Sequence, residues 1–395
     1  MISNKMNSLL SSNSTIRAMF EEGKKLSRIY GSENVFDFSI GNPNVEPPEA
    51  IKSIINEILN SESPNLVHGY MNNSGYEDVR DDISKFLNKK YDLNLTFENI
   101  TMTCGAAGGL NIILKTLLNP NDEVIVFAPY FGEYKNYVNN FDGKLIIVPT
   151  DTSTFEPNLE YLKSAITPKT KAIIINTPNN PTGVIYSETL LENLGKLLDE
   201  KQEEFGSNIY LISDEPYREI VYDAATVPCI LKYFKNSFIG YSYSKSLSLP
   251  GERIGYVVTN SSMYDFNSII SSLNIANRIL GFVNAPSLFQ RVIAKSLEIE
   301  IDISIYKKNF DLLYNHLVNL GFSCIKPSGT FYLFPKSPID DDIKFCEDAK
   351  KFNLLLVPGS SFGCPGHFRI SYCVSYDTIK NSLPAFDKLA KLYKL

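Results

Sequence analysis

The sequence predicts an α/β protein, with a large domain built on a mostly parallel sheet and a smaller α+β domain beside it. Three observations carry this reading. Between about residues 95 and 260, short apolar runs alternate with longer stretches of helical periodicity. Each run is followed by a loop carrying Gly, Pro, Asn, Asp or Ser. After about residue 260 the pattern changes to longer helical stretches, and 395 residues suffice for roughly two or three domains of about 100–200 residues each.

In chain order, residues 36–40 form a short strand-like run that can return to the smaller domain, so the boundary need not be a single cut. The runs at 124–127, 145–148, 172–175, 209–212 and 238–241 are continuously apolar, as parallel strands buried on both faces should be. Helical spacing then covers 287–299 and 304–320, short strands are expected at 322–325 and 331–334, and a last helix at 377–392. The division that follows is a large domain over 46–285 and a small domain formed by 1–45 with 286–395. No internal repeat or low-complexity segment interrupts it.

Composition excludes several classes. A hydrophobic fraction of 44% with 21% charged residues argues against disorder and against a membrane protein. The net charge of −6 is spread along the chain with no Lys/Arg run able to track a phosphate backbone, so no nucleic acid partner is expected. Residues 1–14 are polar and lack a secretory apolar core, and nothing approaches the ~20 apolar residues of a membrane span. A cytoplasmic protein is expected. Six scattered cysteines without a Cys-x-x-Cys pair, and three histidines (His68, His316, His367) outside any catalytic pattern, point to reduced structural thiols and no metal.

In open α/β sheets ligands sit beyond the carboxyl ends of the strands, so the loops after the apolar runs should hold the chemistry. After 238–241 come Ser242, Ser244, Lys245 and Arg253 in one loop. A lysine among hydroxyls, with a guanidinium eight residues on, suits a Schiff-base lysine beside a bound phosphate. After 209–212, Asp214 and Glu215 end the run, with Tyr217 close behind. Asp214 there is either a solvated strand-end acid or the partner of a protonated pyridine nitrogen. The turn at 176–183 fixes the Asn180 amide between prolines, and the small residues at 103–109 open a helix whose N–H groups can receive phosphate. It is not the G-x-G-x-x-G of dinucleotide sites.

Taken together, Ser-x-x-Lys…Gly-x-Arg-x-Gly at 242–255, Asn-Pro-Thr-Gly at 180–183, and Asp214 with Tyr217 resemble the fold-type I, class I/II aminotransferases over nearly the whole chain. The resemblance implies a mostly parallel seven-stranded sheet sandwiched by helices, and pyridoxal 5'-phosphate as cofactor. Lys245 is then the Schiff-base lysine and proton shuttle, Asp214 the ring-nitrogen partner, and Asn180 and Tyr217 the contacts to the phenolic oxygen. Ser242, Arg253 and the backbone of Gly105, Ala106 and Ala107 take the phosphate, Phe131 stacks on the ring, and Tyr70 reaches across a homodimer to the neighbouring phosphate. Gly41 and Arg369 hold the substrate carboxylate, and Arg278 lies where one subfamily supplies a second cation from the partner. The implied reaction is ping-pong transfer of an amino group from an L-amino acid, aspartate-like first and alanine or aromatic as alternatives, to a 2-oxo acid such as 2-oxoglutarate. The cofactor residues alone leave open a β-lyase or a decarboxylase, and a non-catalytic effector-binding module is the reading from another class.

Overall fold

The computed structural model describes residues 2–11 and 15–395. Its strands are β1 (Phe36–Asp37), β2 (Ile100–Thr103), β3 (Glu123–Ala128), β4 (Lys144–Pro149), β5 (Thr170–Asn176), β6 (Tyr210–Asp214), β7 (Ser237–Ser242), β8 (Gly255–Thr259), β9 (Tyr332–Leu333), β10 (Leu354–Leu355), β11 (Val357–Pro358) and β12 (Phe368–Ser371). Seven of them form one sheet in the order β2-β8-β7-β6-β5-β3-β4. All its neighbours run parallel except β8, which is antiparallel to β2 and β7. The five apolar runs each became a strand, and the mostly parallel sheet expected from them is present.

Apolar layers cover both faces of this sheet. On one side Ile173, Leu211, Ile239 and Val258 pack towards helices Glu77–Tyr91 and Glu188–Phe205. On the other Val126, Ile174, Ile212 and Phe238 pack towards helix Gly105–Leu117. Each such side chain contributes roughly 1.5–3 kcal/mol on burial, which is why the middle of the central strands is apolar on both faces.

A third core, around Phe310, Leu317, Phe345 and Phe386, belongs to the smaller domain. Its antiparallel sheet runs β11-β12-β9, and β1 pairs with β10 in parallel, which sets the N-terminal run beside the C-terminal part of the chain. Helix Tyr376–Tyr393 closes it, capped by Ser375 accepting from the Thr378 amide at 3.0 Å.

Three expectations shift. Residues 322–325 form no strand: the segment shares one backbone bond with the chain ahead, Lys336 N to Ser323 O at 2.8 Å, and one bond makes no ladder. The helix expected over 287–299 ends at Ala294, with a tighter turn taking over. Its Val292 and Ile293 pack on the large-sheet core, so core membership changes between Ile299 and Ile301 rather than at 286.

Candidate active site

Strand register brings the predicted loops together. β5 and β6 pair Asn176 with Asp214, β6 and β7 pair Asp214 with Gly240, and β7 and β8 pair Ser242 with Gly255. Asn176, Asp214, Ser242 and the residues after them therefore share one edge of the sheet. There a cleft of about 350 Å³ is lined by Lys245, Asp214, Tyr217, Asn180, Ser242, Arg253, Phe131, Ala106, Ala107, Gly41 and Arg369. The smaller domain supplies the last of these, from β12, together with Tyr332 from β9.

Asp214 sits at the floor, fully enclosed. Its Oδ2 accepts from Tyr134 Oη at 2.6 Å, while Oδ1 has no hydrogen-bond partner. Burial, opposed by the Tyr134 hydrogen bond and assisted by nearby Glu215, pushes its carboxyl up to about 7. A buried carboxylate oxygen without a partner is costly. It is the feature expected if a protonated ring nitrogen fits above it. Asn176 fixes the surroundings: its amide donates to Asp214 O at 2.7 Å and its Oδ1 accepts from Asn180 N at 2.6 Å.

Lys245 lies on the one-turn helix Tyr243–Ser246 that Ser242 caps. Its Nζ donates to Gly41 O at 2.5 Å and lies 5.5 Å from the Phe331 ring. Burial lowers the amine to about 8, with the positive charges of Arg369 and Arg253 adding to the effect. An amine so placed is partly neutral near physiological pH and can act as nucleophile or base.

Across the cleft mouth, helix Gly105–Leu117 starts without a side-chain cap, leaving its first N–H groups free for an anion. Arg253 arches over this turn, Nη1 donating to Pro250 O at 2.8 Å. A Cβ on Gly105, whose φ is +72°, would lie 2.7 Å from Arg253 Nη2, so only glycine lets backbone and guanidinium approach one anion together. Ser242 and Ser244 share a 2.7 Å hydroxyl contact beside it.

Arg369 is 2% exposed and has no carboxylate partner among the described residues. Nη1 donates to Asn180 Oδ1 at 3.1 Å and Nη2 to Ser39 O at 2.5 Å, whereas Nε is unpaired. Its guanidinium stacks on Tyr332 and Phe362, 4.5 and 4.9 Å from their ring centres. A buried guanidinium held only by neutral groups awaits an anion. Gly41 is required nearby because a Cβ there would collide with Tyr332 Oη.

Sequence reasoning missed Tyr134, Asn176 as an organiser, Tyr332, and Tyr137 on the cleft wall. Tyr332 contacts Tyr217, hydroxyl to hydroxyl at 2.9 Å, but nothing in sequence ties residues 115 apart. Tyr70 and Arg278 do not line the cleft of their own chain. Tyr70 is 94% exposed, and the loop carrying it is tied to the end of helix Phe266–Ile279 by Asn277 Nδ2 to Asn73 O and Asn284 Nδ2 to Asn72 O, both 2.7 Å. Arg278, Ile275 and Ile279 are exposed on that helix, at the spacing of one face.

Among the described residues no His/Cys/Asp/Glu group is placed to hold a metal, and no helix is long and apolar enough to cross a membrane.

Residues 33–386 match the sequence pattern of the family "Aminotransferase class I and II". The chain is 30% identical to a probable N-acetyl-LL-diaminopimelate aminotransferase of Bacillus subtilis, over 89% of this chain and 88% of that protein. It is also 30% identical to an aspartate aminotransferase of Thermotoga maritima, over 93% and 94%. A crystal structure of an amino transferase from Eubacterium rectale superposes with a TM-score of 0.97 at 45% identity, covering 100% of both chains. The aspartate aminotransferase of Thermus thermophilus with maleate superposes with 0.85 at 25% identity, over 95% and 97%.

Proposed function

The chain belongs to the class I and II aminotransferases, and on that premise we propose that it binds pyridoxal 5'-phosphate through Lys245 and passes an amino group from an aspartate-like L-amino acid to a 2-oxo acid such as 2-oxoglutarate. The observation that carries this is the pair of buried polar atoms left unsatisfied in one cleft, Asp214 Oδ1 and Arg369 Nε. One suits a ring-nitrogen proton and the other a substrate carboxylate.

Arg253, Ser242 and the first N–H groups of helix Gly105–Leu117 would hold the phosphate, Phe131 the ring face, and Asn180 and Tyr217 the phenolic oxygen. When bound, the cofactor supplies an electron sink for the bond breaking at the substrate α-carbon. Lys245 Nζ, partly neutral because it is buried, takes the α-proton and returns it. Arg369 orients the donor by its α-carboxylate, with Tyr332 and Phe362 excluding water from the guanidinium faces. Keeping that carboxylate paired favours transfer over decarboxylation. Asp214 stabilises positive charge at the ring nitrogen, and Tyr134 and Asn176 hold it in place.

The dicarboxylate preference rests on relatives named for aspartate and on a structural neighbour solved with maleate. The cations lining the cleft are Lys245, Arg253 and Arg369, each already engaged, so a second carboxylate needs Arg278 of a partner subunit. Arg278 shares a face with exposed Ile275 and Ile279, and the loop of Tyr70 is tied to the same helix. That apolar surface supports a homodimer with shared sites. A second reading, neutral or aromatic donors, is favoured by the apolar Ile40, Leu110 and Phe131 on the cleft wall. We place the enzyme in the cytoplasm, since all six cysteines are free.

The test is product analysis with each donor in turn and 2-oxoglutarate as acceptor. Glutamate formation fastest with aspartate supports the proposal; equal rates for alanine and tyrosine favour the second reading, and ammonia release without an acceptor contradicts transfer.

A further inference from the structure

Behind the main sheet, on the face away from the cleft, lies a second cavity of about 220 Å³, and no residue lining it also lines the cleft. Its walls are mainly apolar, from Leu87 and Leu297 on one side to Ile239 and Val258 on the sheet, with charged groups along one part. Into it face Tyr243 and Tyr256, each 5% exposed and each without a hydrogen-bond partner for its hydroxyl among the described residues. With no protein partner, these hydroxyls can be paired only from the cavity, and the two rings lie close together, with centres 5.9 Å apart.

The charged groups here already satisfy one another. Glu215 pairs with Arg218, and Glu219 accepts from Tyr241 Oη at 2.8 Å and faces Lys90 Nζ at 3.5 Å. No buried charge is left unpaired for a ligand to neutralise; Glu298 and Glu300, also on the lining, are exposed. A wider recess adjoins the cavity, sharing Lys90, Arg218 and Glu219 with it.

We propose that this cavity is a second small-molecule site, taking an uncharged planar aromatic with one O–H or N–H group. The volume supports one ring or a fused pair, since an apolar cavity of about 150 Å³ is enough for benzene. The ring lies against the leucines and tyrosine faces, and its polar atom pairs with the free phenols of Tyr243 and Tyr256.

Phenol and indole are the probes, titrated calorimetrically into the cofactor-loaded enzyme without amino-acid substrates, so that failure here leaves the proposed transfer reaction untouched. One saturable site per chain is expected. Tyr243→Phe and Tyr256→Phe should each weaken binding about three- to tenfold, the value of one neutral hydrogen bond, and Leu297→Trp, which fills the cavity from its rim, should abolish it while turnover persists. The proposal is overturned if neither probe saturates, if Leu297→Trp binds as wild type, or if maleate displaces the probes, which would move them to the cleft. Should Leu297→Trp fail to fold, the two tyrosine variants decide alone: unchanged affinity in both overturns the site.

Discussion

Asp214 and Glu215 are adjacent acids at the end of β6, both buried, and they turn to opposite regions of the molecule. Glu215 faces the cavity behind the sheet, where Ser213 and Arg218 satisfy it. Asp214 faces the cleft, where one oxygen has Tyr134 and the other has nothing. The buried arginines of these two regions divide in the same way: Arg218 has a carboxylate, and Arg369 has only neutral partners. Burial alone therefore does not separate structural charges from functional ones. Between these two regions completeness of pairing does, because a charge that lines a cleft without a counter-charge can be completed by a ligand.

The largest effect should fall on the cleft. Lys245→Ala should reduce kcat by at least ~10³-fold, since it removes both the covalent anchor and the proton carrier, while urea unfolding stays near wild type. Residual turnover within tenfold would break the division.

The acids sharpen it further. Glu215→Gln strips Arg218 of its counter-charge in a dry site and should cost about 3–5 kcal/mol of stability, read as a lower urea midpoint, with the refolded fraction still active. Asp214→Asn should do the reverse, lowering kcat by about 10²–10³-fold with little loss of stability. If both variants lost stability alike and activity alike, pairing would not be the distinguishing property.

Arg369→Lys keeps the charge and loses the fork. The expected result is a rise in KM of about 10²-fold, with kcat changed less. An unchanged KM would place the substrate carboxylate elsewhere.

The remaining effect is a pH dependence. Burial holds Asp214 protonated in the folded protein up to about 7, whereas an unfolded aspartate ionises near ~3.9. Between those values the unfolded chain binds fewer protons, so this group's contribution is fully present below about pH 4 and is lost as pH rises to 7. Cofactor loading should flatten that slope by pairing the ionised carboxylate, as should Asp214→Asn. Urea midpoints from pH 4 to 8, with and without pyridoxal phosphate, check it.

Much of this was legible in the sequence because it is local. Continuous apolar runs marked the strands, and a parallel sheet puts the residues after each run at one edge, so Lys245, Asp214, Asn180 and Ser242 were expected to lie together, as they do. What was not legible depends on distant pairing. Tyr134 sits on a polar-looking helix, and its bond to Asp214 spans 80 residues; Tyr332 reaches Gly41 from the far end of the chain. The strand expected at 322–325 failed because apolar content does not supply a neighbour to pair with. Val292 and Ile293 joined the large domain because a helical stripe shows that one face is buried but not against which core.

The most direct test of the central claim, that the cleft is incomplete without a cofactor held by Lys245, is borohydride reduction of the protein loaded with pyridoxal phosphate, followed by peptide mass mapping. The account predicts one phosphopyridoxyl group per chain, on the peptide containing Lys245. Labelling of another lysine, or none, would contradict it.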